Sequence, residues 1–184
     1  MKKLFAGLFL CLVAAISMAQ KHYIWCPPDI VSSLSPQGST LSGQTVLLSV
    51  KDLRSFTGKV DNKCSPEEII SSVSAALKAT YPNAAFRSAP LGKAEPIQGE
   101  VLVSVEITAY SAYFNMATWH AATNLSVTIL DYRSNELHRV SKSIEKKKSF
   151  FNALGTITAK SNMKKCYESA IVELIDFITD TCKS

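Results

Sequence analysis

Cysteine is the residue type whose number and spacing in this chain most readily predict chemistry. Beyond the first twenty residues there are four, Cys26, Cys64, Cys166 and Cys182. None of them belongs to a C-x-x-C pair, which is the commonest ligand spacing of a structural zinc site. If the chain is exported, an even number of cysteines instead favours two disulfides, and four cysteines allow three pairings.

Histidine and the common catalytic motifs give little support to an active site. The histidines are His22, His120 and His138. His120 and His138 fall on neighbouring predicted strands, where ordinary surface positions are commoner than metal ligands. The chain contains no glycine-rich phosphate loop and no G-x-S-x-G or H-E-x-x-H motif. We therefore expect no catalytic residues, no metal and no cofactor.

Asp52 and Arg54 lie two residues apart at the end of a predicted strand. A carboxylate at a strand end could serve a functional site. A structural ion pair that fixes the following loop is the commoner arrangement, and we expect that arrangement here.

Three predicted β-strands between about Glu100 and Lys148 form the centre of the fold. Breaks at residues 115–117 and 133–135 separate them into a meander. Alternation predicts that one face of the first two strands is apolar. Its residues are Val101, Val103, Val105, Ile107 and Ala109 in the first strand, and Thr123, Leu125, Val127 and Ile129 in the second.

Two amphipathic helices flank the meander and can cover this apolar face. Ser65 caps the first helix, Pro66 occupies its first turn, and residues 81–83 end it. A linker of residues 149–161 is expected to precede the second helix, which Asn162 caps.

A strand at residues 45–53 has apolar residues on both faces and is expected to be central, and residues 84–88 are expected to form a short edge strand. The predicted fold class is therefore α+β. It is a two-layer sandwich with a mostly antiparallel sheet of four or five strands, element order β-α-β-β-β-β-α, and both helices on one face.

The disulfide pairing depends on the direction of the two helices. Cys166 and Cys182 lie about 24 Å apart along the second helix and cannot pair with each other. Antiparallel helices would bring Cys64 near Cys182, so we expect Cys64–Cys182 together with Cys26–Cys166. The alternatives are Cys26–Cys64 with two unpaired thiols, and Cys26–Cys182 with Cys64–Cys166.

The first 19 residues have the features of a secretory signal peptide. Lys2 and Lys3 precede an apolar run, and Ser17-Met18-Ala19 ends in the small residues that signal peptidase requires. The apolar run of about 13 residues is too short to span a bilayer. We expect an irregular leader at residues 20–44 and a single α+β domain at residues 45–184. Loss of the two lysines lowers the formal net charge from +5 to +3, which is too small to indicate nucleic-acid binding.

The first hairpin of the meander and the end of its third strand are the two candidate contact surfaces. Large apolar side chains surround the hairpin turn, namely Tyr113, Phe114, Met116 and Trp119. They could bind a partner, or they could fold over the end of the core. Lys142 and Lys146–Lys148 are typical of a protected edge strand, and they could also attract anionic lipid headgroups or lipopolysaccharide.

The order of elements also resembles a known family. The resemblance is carried by the strand T-V-L-L-S-V-K-D-L-R (45–54), the helix E-E-I-I-S-S-V-S-A-A-L-K (67–78), and the strands V-L-V-S-V-E-I-T-A-Y (101–110) and N-L-S-V-T-I-L-D (124–131). Over residues 34–180 the chain resembles the YajG-like lipoproteins of Gram-negative envelopes. The resemblance implies a small α+β accessory domain of an envelope assembly. The chain differs from that family in lacking the lipid-attachment cysteine and in carrying four further cysteines.

Together these features predict an exported, non-enzymatic envelope protein, periplasmic, associated with the outer membrane or extracellular. We expect it to be an accessory component that binds another envelope protein through a sheet edge or the hairpin. The alternative is a binding module for a lipid, a glycan or another small ligand. Such a ligand would lie between the helices and the sheet, or under residues 150–157.

Overall fold

The chain forms an α+β fold of one seven-stranded sheet and two helices, which confirms the predicted fold class. The computed structural model describes residues 20–89, 95–115, 117–151 and 155–183, so the predicted signal peptide lies outside the described residues. The elements are β1 (His22–Ile24), β2 (Thr45–Asp52), β3 (Val60–Asn62), α1 (Pro66–Thr80), β4 (Ala85–Ser88), β5 (Glu100–Asn115), β6 (Thr118–Asp131), β7 (His138–Phe151) and α2 (Gly155–Cys182). Within these ranges, no helix has the length and apolar character that a membrane crossing requires.

Strand β5 is the centre of the sheet. Along one edge it pairs with β2 over its first half and with β1 near its end, and along the other edge it pairs with β6. Strands β5, β6 and β7 form the predicted antiparallel meander. Strand β2 runs parallel to β4, because helix α1 returns the chain to the same end of the sheet, and it also runs parallel to β5. The sheet is therefore mixed, and it curls into a half-barrel rather than one layer of a flat sandwich.

Strands β1 and β3 were not predicted. Each has three residues, which is too short for alternation to be recognised in the sequence. They pair in parallel, and β1 also pairs with β5. The leader is therefore tied into the sheet at its start.

A β-bulge interrupts the pairing of β5 with β6 between Ile107 and Ala109. Before the bulge, Val101 to Ile107 alternate into the core as predicted. After it, Tyr110 and Ala112 are the fully buried residues, at 0% exposure, and Ala109 is only partly buried. The extra residue reverses the alternation, because a shift of one residue moves every later side chain to the opposite face.

Both helices pack on one face of the sheet, and the opposite face, here called the open face, carries no helix from the described residues. Helix α1 lies against β2, and α2 lies against β5, β6 and β7. The core between the layers includes fully buried side chains from both, among them Val46, Val103, Val127, Val73, Leu77, Ile171 and Leu174.

Helix α1 begins as predicted. The hydroxyl of Ser65 accepts a hydrogen bond from the backbone N–H of Glu68, and the Glu68 carboxylate accepts one from the backbone N–H of Ser65. The expected linker at residues 149–161 is wrong. Strand β7 continues to Phe151, and α2 begins at Gly155. Asn162 lies inside α2, where its side chain donates to the carbonyl oxygen of Thr158.

The helices run in the same direction rather than antiparallel. Ser72 and Tyr167 share a hydroxyl–hydroxyl contact of 2.7 Å, and farther along both helices Tyr81 contacts Ile175. Cys64 at the start of α1 is therefore far from Cys182 at the end of α2. The observed disulfide is Cys26–Cys64, and Cys166 and Cys182 are buried free thiols, so the expected pairing is wrong.

Candidate binding surface at the hairpin end

The end of the sheet at the β5–β6 turn, here called the hairpin end, gathers aromatic side chains from separate parts of the chain. On the open face, the rings of Phe56, His22, Tyr113 and His120 follow one another, and we call them the aromatic row. Their centroids are 5.0, 5.3 and 4.9 Å apart in that order. The Tyr113 and His120 rings are stacked at 22°. All four side chains are partly exposed.

Strand pairing explains why these rings meet. His22 in β1 lies opposite Tyr113 in β5, and Tyr113 lies opposite His120 in β6. Directly opposed residues of neighbouring strands share a face. The bulge near residue 108 is essential to this arrangement, because without it Tyr113 would share the face of Ile107 and enter the core.

Hydroxyl groups hold both histidines of the aromatic row. Nδ1 of His22 lies 3.3 Å from Oγ of Ser111, and Nδ1 of His120 lies 2.8 Å from Oγ of Ser149 in β7. Burial lowers the pKa of His22, so its ring is neutral at neutral pH. The Arg54 guanidinium lies 5.6 Å from the centre of the Phe56 ring. The row is therefore a surface of four rings that begins beside the Arg54 guanidinium and reaches the edge strand β7 at Ser149.

The predicted hairpin residues do not form one patch. Tyr113 belongs to the aromatic row on the open face. Trp119 lies on the core face, is only 5% exposed, and packs edge-on against Tyr23 at 5.3 Å. Phe114 lies beside Trp119 and is 41% exposed. Met116 lies outside the described residues. Trp119 is therefore a core residue, and a partner surface at this hairpin is left with Tyr113 and Phe114.

Asp52 and Arg54 form an ion pair. The Asp52 carboxylate accepts hydrogen bonds from the backbone N–H and from Nε and Nη2 of Arg54, while Nη1 of Arg54 donates to the carbonyl oxygen of Tyr110. Burial opposes the charge of Asp52, but the hydrogen bonds from Arg54 outweigh it and lower the pKa of the carboxyl. The pair thus fixes the loop after β2 against β5.

Sequence reasoning missed a second pair with the same design. Asp131 and Arg133 follow β6 with the same Asp-x-Arg spacing, and the guanidinium binds both carboxylate oxygens. Nη1 of Arg133 donates to the carbonyl oxygen of Cys182 at the end of α2. The repeated spacing at a strand end was the signal that could have revealed this pair.

The cysteines do not form a metal site. The sulfur atoms of Cys26 and Cys64 lie near the Glu68 carboxylate, but they are joined in the disulfide and have no thiolate to offer a metal. Burial raises the pKa of Cys182 to about 11. Burial also raises the pKa of Cys166, and the nearby Lys148 ammonium partly offsets that rise.

Two other groups singled out in the sequence are separated by the fold. His120 lies opposite Ser149 and His138 lies opposite Asp131, at the two ends of the β6–β7 ladder, so they cannot share a ligand. The lysine run of β7 is divided as well, because Lys142 and Lys146 both bind Glu173 in α2.

The open face also carries a groove of about 440 Å³ between β2, β5 and β6. Polar and charged side chains supply much of its lining, including Ser49, Lys51, Ser104, Glu106, Thr128 and Arg139. In contrast, the gap between the sheet and the helices near Leu77, Val103 and Ile178 has no room for a water molecule. A ligand at that point between the layers, as the sequence alternative allowed, would have to displace core side chains.

No protein-family model and no curated protein sequence matches the chain. Among solved structures, a hypothetical protein from Chlamydia trachomatis is similar over 75% of this chain and 96% of its own, with 11% identity and a TM-score of 0.49. A lipoprotein from Neisseria meningitidis covers 72% of this chain and 98% of its own, at 11% identity and a TM-score of 0.39. A putative neuraminyllactose-binding hemagglutinin homolog from Helicobacter pylori covers 77% and 86%, at 15% identity and a TM-score of 0.43. These similarities concern the chain path and carry no functional argument.

Proposed function

We propose that this protein is exported to the cell envelope and binds another envelope protein through the aromatic row and the adjoining edge strand β7. The observation that carries the proposal is the free edge of β7. This strand has 14 residues and, among the described residues, pairs with β6 alone. The backbone N–H and C=O groups on its other side can accept a strand from a partner.

The side chains of β7 favour a selective partner over unspecific aggregation. Most of them are exposed and many are lysine or serine, while Ile144 is fully buried and holds the strand in the sheet. Lysines on an edge strand discourage unspecific pairing. An added strand would therefore be chosen by its own side chains, with acidic residues favoured opposite the lysines.

The aromatic row would supply the apolar contact beside this edge. Tyrosine is enriched in protein interfaces because its rigid ring buries a large area and its hydroxyl can still bond. His120 and Ser149 join the row to β7 without a gap. One partner could therefore contact the rings and the strand edge together.

Export and an envelope location are supported by the signal-peptide pattern of residues 1–19 and by the Cys26–Cys64 disulfide. Disulfides persist in oxidising compartments such as the periplasm. We also propose that the resemblance to YajG-like lipoproteins reflects a related role as an accessory protein, without an enzymatic activity.

A second candidate is a binding module for a small ligand in the groove of the open face. Serine, threonine and charged side chains line much of that groove, and this lining favours a polar ligand such as a glycan over a lipid. The groove is separate from the hairpin end, so the two candidates can be tested independently.

The test is photo-crosslinking in intact cells with p-benzoylphenylalanine at position 113, followed by mass spectrometry of the captured protein. Tyr132, a partly exposed tyrosine at the far end of β6, provides the matched control position. We expect one dominant envelope protein at position 113 and not at position 132. The Tyr113→Ala/His120→Ala variant should lose that complex while remaining folded, as judged by circular dichroism.

Two results would reject the proposal. The first is the same set of adducts at both positions. The second is no protein adduct at position 113 in a variant whose label is accessible to solvent. A small molecule that remains bound in native mass spectrometry, and that is lost from a Lys51→Ala/Arg139→Ala variant, would establish the second candidate instead.

A further inference from the structure

The end of β7 and the first turns of α2 carry a charge pattern found nowhere else in the chain. Residues 146–167 include six lysines and no aspartate or glutamate. The facing hairpin, residues 107–130, contains no Asp, Glu, Lys or Arg at all. The hairpin end of the domain is therefore positively charged, and no acidic residue from either segment offsets this charge.

Two exposed apolar side chains lie among these lysines. Phe151, the last residue of β7, is 76% exposed, and Ile157, in the first turn of α2, is 79% exposed. Phe151 lies opposite Thr118, next to the hairpin turn. No other large apolar side chain in the described residues is as exposed. We call Phe151, Ile157, Lys148, Lys160 and Lys164 the basic corner.

The strand and the helix bring these residues to one end of the molecule. Trp119 lies opposite Phe150, and Cys166 of α2 contacts the carbonyl oxygen of Ala121. The part of α2 before Cys166 therefore extends toward the hairpin end. On that helix, Ile157, Lys160 and Lys164 follow the i, i+3, i+7 spacing of one face.

The lysines of this corner differ from those in the middle of β7. Lys142 and Lys146 are paired with Glu173, and Lys147 is paired with Glu145 at 2.7 Å. In the part of the chain that the structure describes, no carboxylate lies within 4.0 Å of the remaining lysines, Lys148, Lys160, Lys164 and Lys165. Their charges are available to an external anion.

We propose that the basic corner seats the protein on the surface of an anionic phospholipid bilayer. Phe151 and Ile157 would enter the headgroup boundary, and the lysines would pair with lipid phosphates. Apolar side chains flanked by lysines are the combination that binds peripheral proteins to anionic membranes. The basic corner shares the end of β7, Lys148 and Phe151, with the proposed partner edge, but the inference rests on exposed apolar and lysine side chains and does not depend on that proposal.

The exposure of the corner favours a lipid surface over an acidic protein. Phe151 is the last residue of β7, Ile157 lies in the first turn of α2, and both side chains are more than three-quarters exposed. Neither side chain lines the groove of the open face. A protein partner needs a complementary surface at a fixed point, whereas a bilayer accepts a projecting side chain wherever it meets the headgroups.

The test is co-sedimentation of protein purified from cells that express the full chain with two kinds of vesicle. One kind is pure phosphatidylcholine, and the other is phosphatidylcholine and phosphatidylglycerol in equal parts. We expect binding to the second kind only, with release at high salt. Each lysine near an anionic membrane strengthens binding by a factor of about five, so Lys160→Gln/Lys164→Gln should bind about 25-fold less tightly.

Matched variants separate charge, apolar contact and folding. Phe151→Ser/Ile157→Ser should reduce vesicle binding about tenfold or more, with its melting temperature unchanged because both side chains are exposed. The controls are Lys78→Gln/Lys183→Gln, which removes two exposed lysines far from the corner, and Val172→Ser, which removes an exposed apolar residue from the second half of α2. Both controls should bind like the wild type.

Several outcomes would overturn the proposal. One is equal binding to both kinds of vesicle, and another is an equal loss in the control variants. Tighter binding to polyglutamate or to lipopolysaccharide micelles than to phosphatidylglycerol vesicles would assign the corner to a different anion. If Phe151→Ser/Ile157→Ser loses vesicle binding but still gives the crosslink at position 113, membrane binding by the corner is independent of partner binding.

Discussion

The phenolic oxygen of Tyr81 lies 2.9 Å from the carbonyl oxygen of Ile175. The same hydroxyl lies 2.8 Å from Oγ1 of Thr179, so the residue that follows α1 is fastened to the last turns of α2. This contact fixes the two helices in the same direction. It also places Cys64 and Cys182 at opposite ends of the helical layer, which leaves Cys26 as the partner of Cys64.

We expect Tyr81→Phe to lower the free energy of unfolding by about 1–2 kcal/mol, because it removes both hydrogen bonds from a buried ring. Urea unfolding followed by circular dichroism would measure the change. Tyr132→Phe is the matched control and should change the free energy by less than about 0.5 kcal/mol. An equal change of unfolding free energy in both variants would mean that the hydrogen bonds of the Tyr81 hydroxyl do not stabilise the protein.

The Tyr81 contact also predicts a loss of stability in alkali. Burial raises the pKa of Tyr81 to about 12, so between pH of about 10 and about 12 the unfolded chain releases this proton and the folded chain keeps it. The unfolded state then binds fewer protons, and stability falls as the pH rises. The slope of unfolding free energy against pH should be shallower for Tyr81→Phe than for the wild type, and identical slopes would refute this assignment.

The disulfide predicts a response to reductant that belongs to Cys26 and Cys64 alone. The bond closes a loop of sequence separation 38, and its loss should cost about 3–4 kcal/mol. Reductant should therefore lower the urea midpoint of the wild type and leave that of Cys26→Ser/Cys64→Ser unchanged. The control Cys166→Ala/Cys182→Ala should keep the response. If reductant left the urea midpoint of Cys166→Ala/Cys182→Ala unchanged, the disulfide would have to involve Cys166 or Cys182.

The two Asp-x-Arg pairs predict a graded effect on stability. The Arg54 side chain is 4% exposed and that of Arg133 is 21% exposed. Asp52→Asn leaves the more deeply buried guanidinium without its anion and should cost about 3 kcal/mol. Asp131→Asn should cost about 1–2 kcal/mol. Urea unfolding at neutral pH would compare the two variants. A larger loss of stability in Asp131→Asn than in Asp52→Asn would show that burial of the guanidinium does not determine the loss.

The same pairs predict the behaviour in acid. Arg54 and Arg133 hold the pKa values of Asp52 and Asp131 below their ordinary value. The stability from each pair is complete above a pH of about 4 and is lost as the pH falls through the lower folded-state pKa. Asp52→Asn should therefore lose less additional stability than the wild type between pH of about 4 and about 2.

The unpaired hydroxyl of Thr123 predicts that a substitution at this position will stabilise the protein. Its side chain is fully buried on the core face, and Oγ1 has no hydrogen-bond partner among the described residues. Thr123→Val keeps the shape and removes the unpaired hydroxyl, so the free energy of unfolding should rise by about 1 kcal/mol. In the control Thr128→Val a hydroxyl bonded to Ser141 at 3.0 Å is lost, and no gain is expected. A lower free energy of unfolding in Thr123→Val would show that the Thr123 hydroxyl has a hydrogen-bond partner.

Long, regular patterns made most of the fold predictable. The capping residues Ser65 and Pro66 set the start of α1, and the alternation from Val101 to Ile107 gave the core face of β5. The bulge after Ile107 could not be predicted, because Tyr110 and Ala112 fit either face by composition. One inserted residue then decided which hairpin rings are exposed.

The candidate site was less predictable because it is assembled by pairing across distant segments. Tyr113 was singled out in the sequence, but His22 and Phe56 come from the leader and a loop that carry no strand pattern. The relative direction of the two helices could not be predicted either, because amphipathic spacing shows which face of a helix is buried but not which way the helix runs. The predicted disulfide pairing failed for that reason.

Strand β1 joins segments that are far apart in the sequence. Its partners in β5 are Ala112 and Tyr113, and its partner strand β3 lies beside Cys64. The Cys26–Cys64 bond links β1 to β3 without any contribution from β5. A bond formed before β5 is paired would therefore hold the first strand in place and shorten the search for its distant partner.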